Sequence, residues 1–168
     1  KHYLSYLQNT VTSKWSDLAM KDLDGATQYT YGELATQIAR LHTTFRLLGI
    51  KEGDKIALCG RNSAQWSIAF LSAITYGAVA VPILHEFKAD NIHHLVNHSE
   101  ARLLFVDTSI WENLDPSLMS ALDGAILISD YSLLLSRNEK LTDARKRLNE
   151  LFGARYPERF LPQDIHYY

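Results

Sequence analysis

Four histidines that lie close together in the sequence are the first candidates for chemistry: His85, His93, His94 and His98. His94 and His98 are four residues apart, which puts them one helical turn apart, a spacing that can hold zinc. No Glu completes an HExxH pattern, and Cys59 is the only cysteine that could add a thiolate. Because a third ligand is missing, we favour a solvated polar helix face over a metal site.

A second candidate is the turn Cys59-Gly60-Arg61-Asn62-Ser63, between a predicted strand and a predicted helix. The N–H groups at a helix N-terminus attract anions, and Arg61 could help to hold a phosphate. However, one glycine is not a GxGxxG fingerprint, and GxxxxGK[ST] occurs nowhere in the chain. We therefore favour Gly60 as a turn residue and Asn62 or Ser63 as the helix cap. A free-standing, flavodoxin-like anion- or nucleotide-binding module remains the alternative.

The remaining reactive residues fit known catalytic patterns poorly. A phosphoacceptor site needs a pair of acids after the first strand of the sheet, but the predicted strand 55–59 is followed by Gly60. Asp107, which follows the predicted strand 102–106, favours a helix start together with Thr108 and Ser109. No GxSxG motif marks a serine nucleophile, and Cys59 lies inside an apolar run that is typical of a core residue. We predict no catalytic, cofactor-binding or metal-binding residue in this chain.

The composition is that of an ordinary globular domain. The chain has 168 residues, of which 46% are hydrophobic and 21% charged, and its net charge is −2. This charge gives no electrostatic reason to expect nucleic acid or an anionic membrane surface. A single cysteine permits no internal disulfide, which favours a reducing, cytoplasmic location. The chain opens without a signal segment, and both ends resemble the interior of a longer protein.

The stretch 62–84 contains no charged residue and is long enough to cross a bilayer. Gly77 interrupts it, Pro82 lies near its end, and Val79–Ile83 is rich in β-branched residues. These features favour a buried helix that runs into a buried strand over a transmembrane helix.

The elements that must position any site begin with a hairpin and a long helix. Asp17–Lys21 and Gln28–Thr30 are predicted strands, and the Asp24-Gly25 pair between them favours a tight turn. Thr30 and Glu33 have the spacing of a capping box. An apolar stripe with helical spacing follows and ends at Gly49; it consists of Leu34, Ile38, Leu41, Phe45 and Leu48.

Beyond this helix, strand and helix patterns alternate. The predicted strands are 55–59, 78–83, 102–106 and 125–129, and the predicted helices are 63–76, 89–98, 109–114, 117–122 and 139–152. This alternation, with nearly continuous apolar strands, predicts an α/β fold with a doubly wound, flavodoxin-like, mainly parallel sheet and an N-terminal β-hairpin. We place one α/β portion at residues 1–153 and an extended connector at residues 154–168.

Several local sequences, taken in order, resemble one enzyme family. Residues 29–34 (YTYGEL), 48–57 (LGIKEGDKIA), 62–66 (NSAQW) and 77–82 (GAVAVP) are similar to motifs of adenylate-forming enzymes, which include acyl-CoA synthetases, luciferases and nonribosomal adenylation domains. Residues 95–101 (LVNHSEA) and 103–106 (LLFV) resemble a stretch of long-chain fatty-acid–CoA ligases in particular. The resemblance covers Trp15 to Asp130.

The resemblance implies part of the large N-terminal domain of an ATP-dependent fatty-acid–CoA ligase. In that family a carboxylate attacks the α-phosphate of Mg-ATP to give an acyl-adenylate and pyrophosphate, and the thiol of CoA then displaces AMP. The motifs that carry this chemistry are a Ser/Thr/Gly-rich loop ending in Pro-Lys-Gly, a Tyr-Gly-x-Thr-Glu motif and a lysine near the far C-terminus. None of them occurs here, so we expect an inactive scaffold cut before the phosphate-binding loop.

These implications extend to cofactors, partners and alternatives. ATP, Mg²⁺ and CoA are implied for the full-length enzyme, and none is expected in this fragment. The implied partners are the rest of its own chain and the fatty-acid and CoA substrates, with peripheral membrane association of the full-length enzyme left open. We also expect the fragment to self-associate through exposed apolar surface. Aryl or medium-chain acids remain open as substrates.

Overall fold

The computed structural model describes residues 3–137, 139, 142–143, 146–147, 150, 152–153, 156 and 159–167. Its helices are α1 (Tyr3–Ser13), α2 (Tyr31–Leu47), α3 (Ala64–Tyr76), α4 (Ala89–Ser99) and α5 (Thr108–Trp111). Its strands are β1 (Leu18–Lys21), β2 (Gln28–Thr30), β3 (Lys55–Cys59), β4 (Val79–Ile83), β5 (Leu103–Val106), β6 (Gly124–Leu127) and β7 (Leu133–Ser136). Short 3-10 helices lie at Pro116–Leu118 and Pro162–Asp164.

Strands β3 to β7 form one sheet in the spatial order β4-β3-β5-β6-β7. The first four are parallel neighbours, whereas β7 runs antiparallel to β6. Numbered from β3 as the first strand, the order is 2-1-3-4-5, the flavodoxin-like order of doubly wound sheets. β1 and β2 pair separately as an antiparallel hairpin. The predicted fold class is therefore confirmed.

The central strands β3 and β5 are buried on both faces. Alternate side chains pack with α2 and α3 on one face: Ile56, Leu58, Leu103 and Phe105. The others pack with α4 and the chain that follows α5: Ala57, Cys59, Leu104 and Val106. All eight side chains are fully buried. Two buried faces explain why these strands contain no charged residue between Ile56 and Cys59 or between Leu103 and Val106.

Helix α2 begins and ends as its sequence predicts. The Thr30 hydroxyl accepts the Glu33 N–H, while the Glu33 carboxylate accepts the Thr30 N–H, at 3.1 and 3.0 Å. Gly49 has a φ of 74°, and the Ile50 N–H donates to the Phe45 carbonyl at 3.0 Å. This closure folds Ile50 back onto the buried helix face.

The charge-free stretch divides as predicted into a helix and a strand. α3 has 13 residues and ends at Gly77, whose φ of 90° lies in the left-handed region. The chain then enters β4, whose Pro82 is partnered in register with Leu58 of β3. Across the residues that the structure describes, no helix has both the length and the apolar character that a membrane span requires.

The hairpin connection is wider than the predicted tight turn. The Asp22 N–H donates to the Thr27 carbonyl at 2.8 Å, so Asp24-Gly25 lies at the tip of a six-residue loop (22–27). Gly25 has a φ of 72°, and the Asp24 carboxylate accepts the Ala26 N–H at 2.9 Å. The wider loop matters because it brings the Asp22 side chain to the start of α3.

Strand β7 was missed by the sequence analysis, and three of the elements predicted above differ by more than one residue at an end. The turn between β6 and β7 has no Gly or Asn. Instead, Tyr131 adopts a φ of 58° and the Asp130 carboxylate accepts the Ser132 N–H at 2.8 Å. The usual hairpin signal was therefore absent.

The fourth predicted strand, 125–129, lies at Gly124–Leu127, and the two predicted helical turns, 109–114 and 117–122, shorten to α5 and the 3-10 helix at Pro116–Leu118.

The chain beyond β7 is described only in part. Four core positions of the helix predicted at 139–152 (Leu141, Ala144, Leu148 and Leu151) lie outside the described residues, although Asp143, Arg147 and Glu150 have helical backbone. Residues 159–167 of the predicted connector are not a free extended segment. Phe160 and Ile165 are buried against α1 and α2. The domain boundary at residue 153 stays a prediction.

Glu100 ends α4 with a φ of 58°, a left-handed conformation that costs a residue other than glycine about 1–2 kcal/mol. Its side chain is exposed. We predict that Glu100→Gly raises the free energy of unfolding by about 0.5–1 kcal/mol, since the extra entropy that glycine loses on folding offsets part of the gain. Urea unfolding would measure this change. The control is Glu100→Ala, which removes the carboxylate but keeps Cβ; an equal gain there would trace the effect to charge rather than backbone conformation.

Candidate functional site

In a doubly wound sheet, ligands bind at the carboxyl edge where successive connections leave in opposite directions. Here that point lies between β3, whose chain continues to β4 on one side, and β5, whose chain continues to β6 on the other. Gly60 and Arg61 follow β3, and Asp107 follows β5. The candidate anion turn and the candidate acid of the sequence analysis therefore meet at one place.

The Asp107 carboxylate fills this crevice. Its Oδ2 accepts the Arg61 backbone N–H at 2.8 Å. A Cβ built on Gly60 would lie 2.8 Å from Asp107 Oδ1 and 2.7 Å from Ile128 Cδ1, which no real Cβ tolerates. Gly60 is therefore needed for close approach of β3's end to β5's end, rather than for an unusual backbone angle.

The N-terminus of α3 is also satisfied by the chain itself. Ser63 is the N-cap, and its hydroxyl accepts the Trp66 N–H at 3.0 Å. The Ala64 N–H donates to Asp22 Oδ1 of the hairpin loop at 2.6 Å. Of the two cap residues that the sequence left open, the structure selects Ser63.

Together, these contacts give the anion turn a carboxylate at each end, from Asp22 and from Asp107. The N–H groups of Arg61 and Ala64, which would otherwise attract a phosphate, already donate to acids, and a further anion would meet two negative charges. This geometry counts against the alternative of a free-standing anion-binding module at Gly60.

Sequence reasoning missed both cross-connections. A usable signal existed for Asp107, because an acid and a glycine that directly follow neighbouring parallel strands must end up side by side. No local signal existed for Asp22, whose side chain reaches α3 only through the hairpin's tertiary position.

The histidines do not converge. His94 and His98 are exposed and their rings stack with centroids 5.8 Å apart. His93 is buried, and its Nε2 accepts the Asp115 N–H at 2.9 Å. His85 contacts Glu86 at 3.4 Å. The expected solvated face is right for His94 and His98 and wrong for His93. Within the described ranges, no three His, Cys, Asp or Glu side chains gather as a metal site would require.

Cys59 is an inert thiol. It is buried, and its Sγ lies 3.8 Å from the Leu84 carbonyl oxygen. Burial, and then the nearby Asp107 carboxylate, raise its pKa to about 12. A buried thiol with such a pKa is not ionised at neutral pH, so it is a poor nucleophile.

Comparison with known proteins finds a family that matches nearly the whole chain and relatives that match about half of it. The family model described as "AMP-binding enzyme" matches residues 7–167. The protein named "Long chain acyl-CoA synthetase 4" of Arabidopsis thaliana is 30% identical over 78 residues, which are 46% of this chain and 12% of that protein. "Crotonobetaine/carnitine--CoA ligase" of Proteus mirabilis is 35% identical over 89 residues, 53% of this chain and 16% of that protein.

A solved structure agrees with these sequence matches. The benzoate CoA ligase of Burkholderia xenovorans LB400 superposes with a TM-score of 0.69 and 26% identity, over 86% of this chain and 28% of that one. The chain thus spans about an eighth to just over a quarter of the length of these relatives.

The close approach at Gly60 generates a stability prediction. Gly60→Ala should lower the free energy of unfolding by about 1–3 kcal/mol, because the new methyl group collides with Asp107 and Ile128. Gly153→Ala is the matched control, since no atom of the described residues lies within 4 Å of a Cβ there. Chemical denaturation would measure both changes. A double-mutant cycle with Asp107→Ala should show that part of the loss depends on the carboxylate. Equal, small effects of the two Gly→Ala changes would contradict the packing at the crevice.

Proposed function

Since this chain belongs to the AMP-binding enzyme family, we propose that it is a portion of the N-terminal domain of an adenylate-forming acid–CoA ligase whose acid is a long-chain fatty acid. The observation that carries the ligase proposal is the family match over residues 7–167, together with the wound sheet that CoA ligases share. The reaction would join the acid to AMP from ATP and then to the thiol of CoA.

Within this reaction we assign the chain a supporting role. The described residues do not fit Mg-ATP: the one turn suited to phosphate is closed by Asp22 and Asp107, and no three metal-ligating side chains meet among them. ATP, Mg²⁺ and CoA belong to the proposed activity of the whole enzyme. In this proposal the chain supplies the wound sheet that supports the enzyme, and its described side chains carry out no catalytic step.

Support for a long-chain acid is narrower. It comes from the sequence at 95–106 and from the Arabidopsis relative's name. In the structure this stretch forms the end of α4 and its turn into β5: the Ser99 hydroxyl donates to the Val96 carbonyl at 3.0 Å, and Glu100 is the C-cap. The likeness therefore lies in a structural turn, and the acid has to be identified by assay.

We predict acid-dependent exchange of pyrophosphate into ATP by the complete protein, with kcat/KM at least tenfold higher for a C16 fatty acid than for benzoate or carnitine. The control is Arg61→Gln, which should leave exchange unchanged because Arg61 acts through its backbone N–H. Exchange with benzoate or carnitine alone would overturn the long-chain acid and keep the ligase. No exchange with any acid would overturn the ligase itself.

The charge-free stretch leaves apolar surface uncovered. Val79 of the edge strand β4 is 45% exposed and Leu84 just after it is 59% exposed. Nearby, the rings of Trp66 and Phe70 stack on the half-buried side of α3. In a complete enzyme we propose that other parts of the same chain cover this surface, since burial of apolar area contributes about 25 cal/mol per Å².

We therefore predict that this chain alone self-associates reversibly through β4. Sedimentation velocity over a hundredfold range of concentration should show oligomers, and Val79→Lys with Leu84→Lys should shift the association to at least tenfold higher concentration, because lysine blunts an exposed strand edge. Leu23→Lys is the control, since Leu23 is fully exposed in the hairpin loop. A monomer at every concentration, or an equal effect of Leu23→Lys, would contradict the proposal.

A further inference from the structure

The C-terminal segment, residues 160–167, lies across α1 and α2. Phe160 and Ile165 form a cluster with Val11 of α1 and with Ala35 and Ala39 of α2. The segment's own turn is held by the Leu161 N–H, which donates to Asp164 Oδ2 at 2.8 Å. The contacts to the rest of the protein are therefore chiefly apolar.

Beyond this cluster, the segment reaches a buried histidine of α2. The His42 side chain is 5% exposed, and its Nε2 lies 3.0 Å from the Ser72 carbonyl oxygen and 2.8 Å from the Thr75 hydroxyl of α3. A carbonyl oxygen only accepts hydrogen bonds, so Nε2 carries the proton. In the neutral ring, the other nitrogen is then without a proton.

Aromatic rings enclose this imidazole, and the segment supplies one of them. The ring centroids of Tyr76, Tyr167 and Phe45 lie 5.4, 6.2 and 6.5 Å from that of His42. Tyr76 directs its hydroxyl to the Ile50 carbonyl at 2.7 Å, so it presents only its ring. Of these three rings, only that of Tyr167 comes from the C-terminal segment. The Tyr167 hydroxyl is buried without a hydrogen-bond partner in the described part of the chain.

The charges around His42 disfavour a second proton. The pKa of His42 is lowered to about 4: burial is the largest cause, the hydrogen bond to the Ser72 carbonyl acts in the opposite direction, and Arg46 of α2 and His166 of the segment make smaller contributions that lower it. A cavity of about 270 Å³ beside His42 is also lined by Glu52, which is exposed to solvent, and by Tyr76. Protonated His42 would thus be a desolvated cation close to the guanidinium of Arg46.

We propose that residues 160–167 are a proton-operated latch, which stays docked while His42 is neutral and is released when His42 binds a second proton. Release lets water reach the imidazolium where Tyr167 had covered it. Release exposes the apolar ring of Tyr167, but part of this cost is offset because its hydroxyl gains the hydrogen bonds to water that it lacks when it is buried.

The direction of the pH effect follows from linkage. The pKa of His42 is lower in the docked state than its ordinary value of 6.5. Docking is therefore fully favoured above pH 6.5 and weakens as the pH falls from 6.5 towards 4. The segment also carries the acidic Asp164 and the basic His166, and substitutions must separate their effects from that of His42.

Trp15 offers a reporter at the opposite end of the segment, because it stacks on Phe160 with ring centroids 6.2 Å apart. In the Trp66→Phe, Trp111→Phe background it is the only tryptophan. We expect acrylamide quenching of Trp15 to increase between pH 7 and pH 4.5, with the undocking constant rising at least tenfold, while far-UV circular dichroism stays constant. No change in quenching over this range in the folded protein would overturn the latch.

His42→Gln places an amide N–H where Nε2 donates and does not titrate, so it should keep the latch closed to pH 4.5. His166→Gln is the matched control and should retain the transition; it also leaves Asp164 in place, as His42→Gln does. A wild-type transition in His42→Gln would overturn the proposal and point to Asp164 or His166. If His42→Gln does not fold, Tyr167→Ala provides the test: it should show strong quenching already at pH 7 with no transition, and a retained transition would again overturn the latch.

Discussion

Burial of β3 and β5 on both faces is the constraint on which the rest of the structure depends. A strand with two apolar faces needs a layer on each side, and the right-handed crossovers that supply these layers send α3 to one face and α4 to the other. The same crossovers put the ends of β3 and β5 next to each other, with no connection passing between them. Every later feature of the carboxyl edge follows from this arrangement.

That edge is where wound sheets acquire ligand sites, yet here it is closed. Gly60 brings the backbone within reach of Asp107, whose carboxylate takes the Arg61 N–H, and Asp22 reaches from the hairpin to cap α3. Asp22 thus joins the hairpin to α3, and Asp107 joins the end of β5 to the end of β3. In this protein, two carboxylates of the chain itself occupy the place where the same fold binds phosphate in other proteins, which agrees with the supporting role proposed above.

The amino edge is organised differently, around a single cation. Arg102 donates to Asp123 at 2.6 and 2.8 Å, to Asp54 at 3.2 Å and to the Gly49 carbonyl at 3.2 Å. It therefore joins the turns before β3 and β6 with the start of β5. The cluster is partly open to solvent, so its contribution is that of a positioning contact rather than of a large stabilising energy.

The sequence alone determined what depends on local spacing. The capping box and Gly49 fixed the bounds of α2, Gly77 separated α3 from β4, and the alternation of apolar strands and helices gave the wound sheet, because each of these signals acts within a few residues. Ordered motifs also gave the family. Only the tertiary structure decided which hydrogen bonds and packing contacts form between residues that are distant in the sequence. Asp107 starts α5 as predicted, and the tertiary structure also makes its carboxylate the acceptor of the Arg61 N–H. It buries His93, places the left-handed Tyr131 in the turn before β7, and packs Tyr167 against His42. These contacts join residues up to 125 positions apart. A local sequence pattern cannot predict them, because the two residues of each pair come together only after the crossovers have formed and residues 160–167 have packed against α1 and α2.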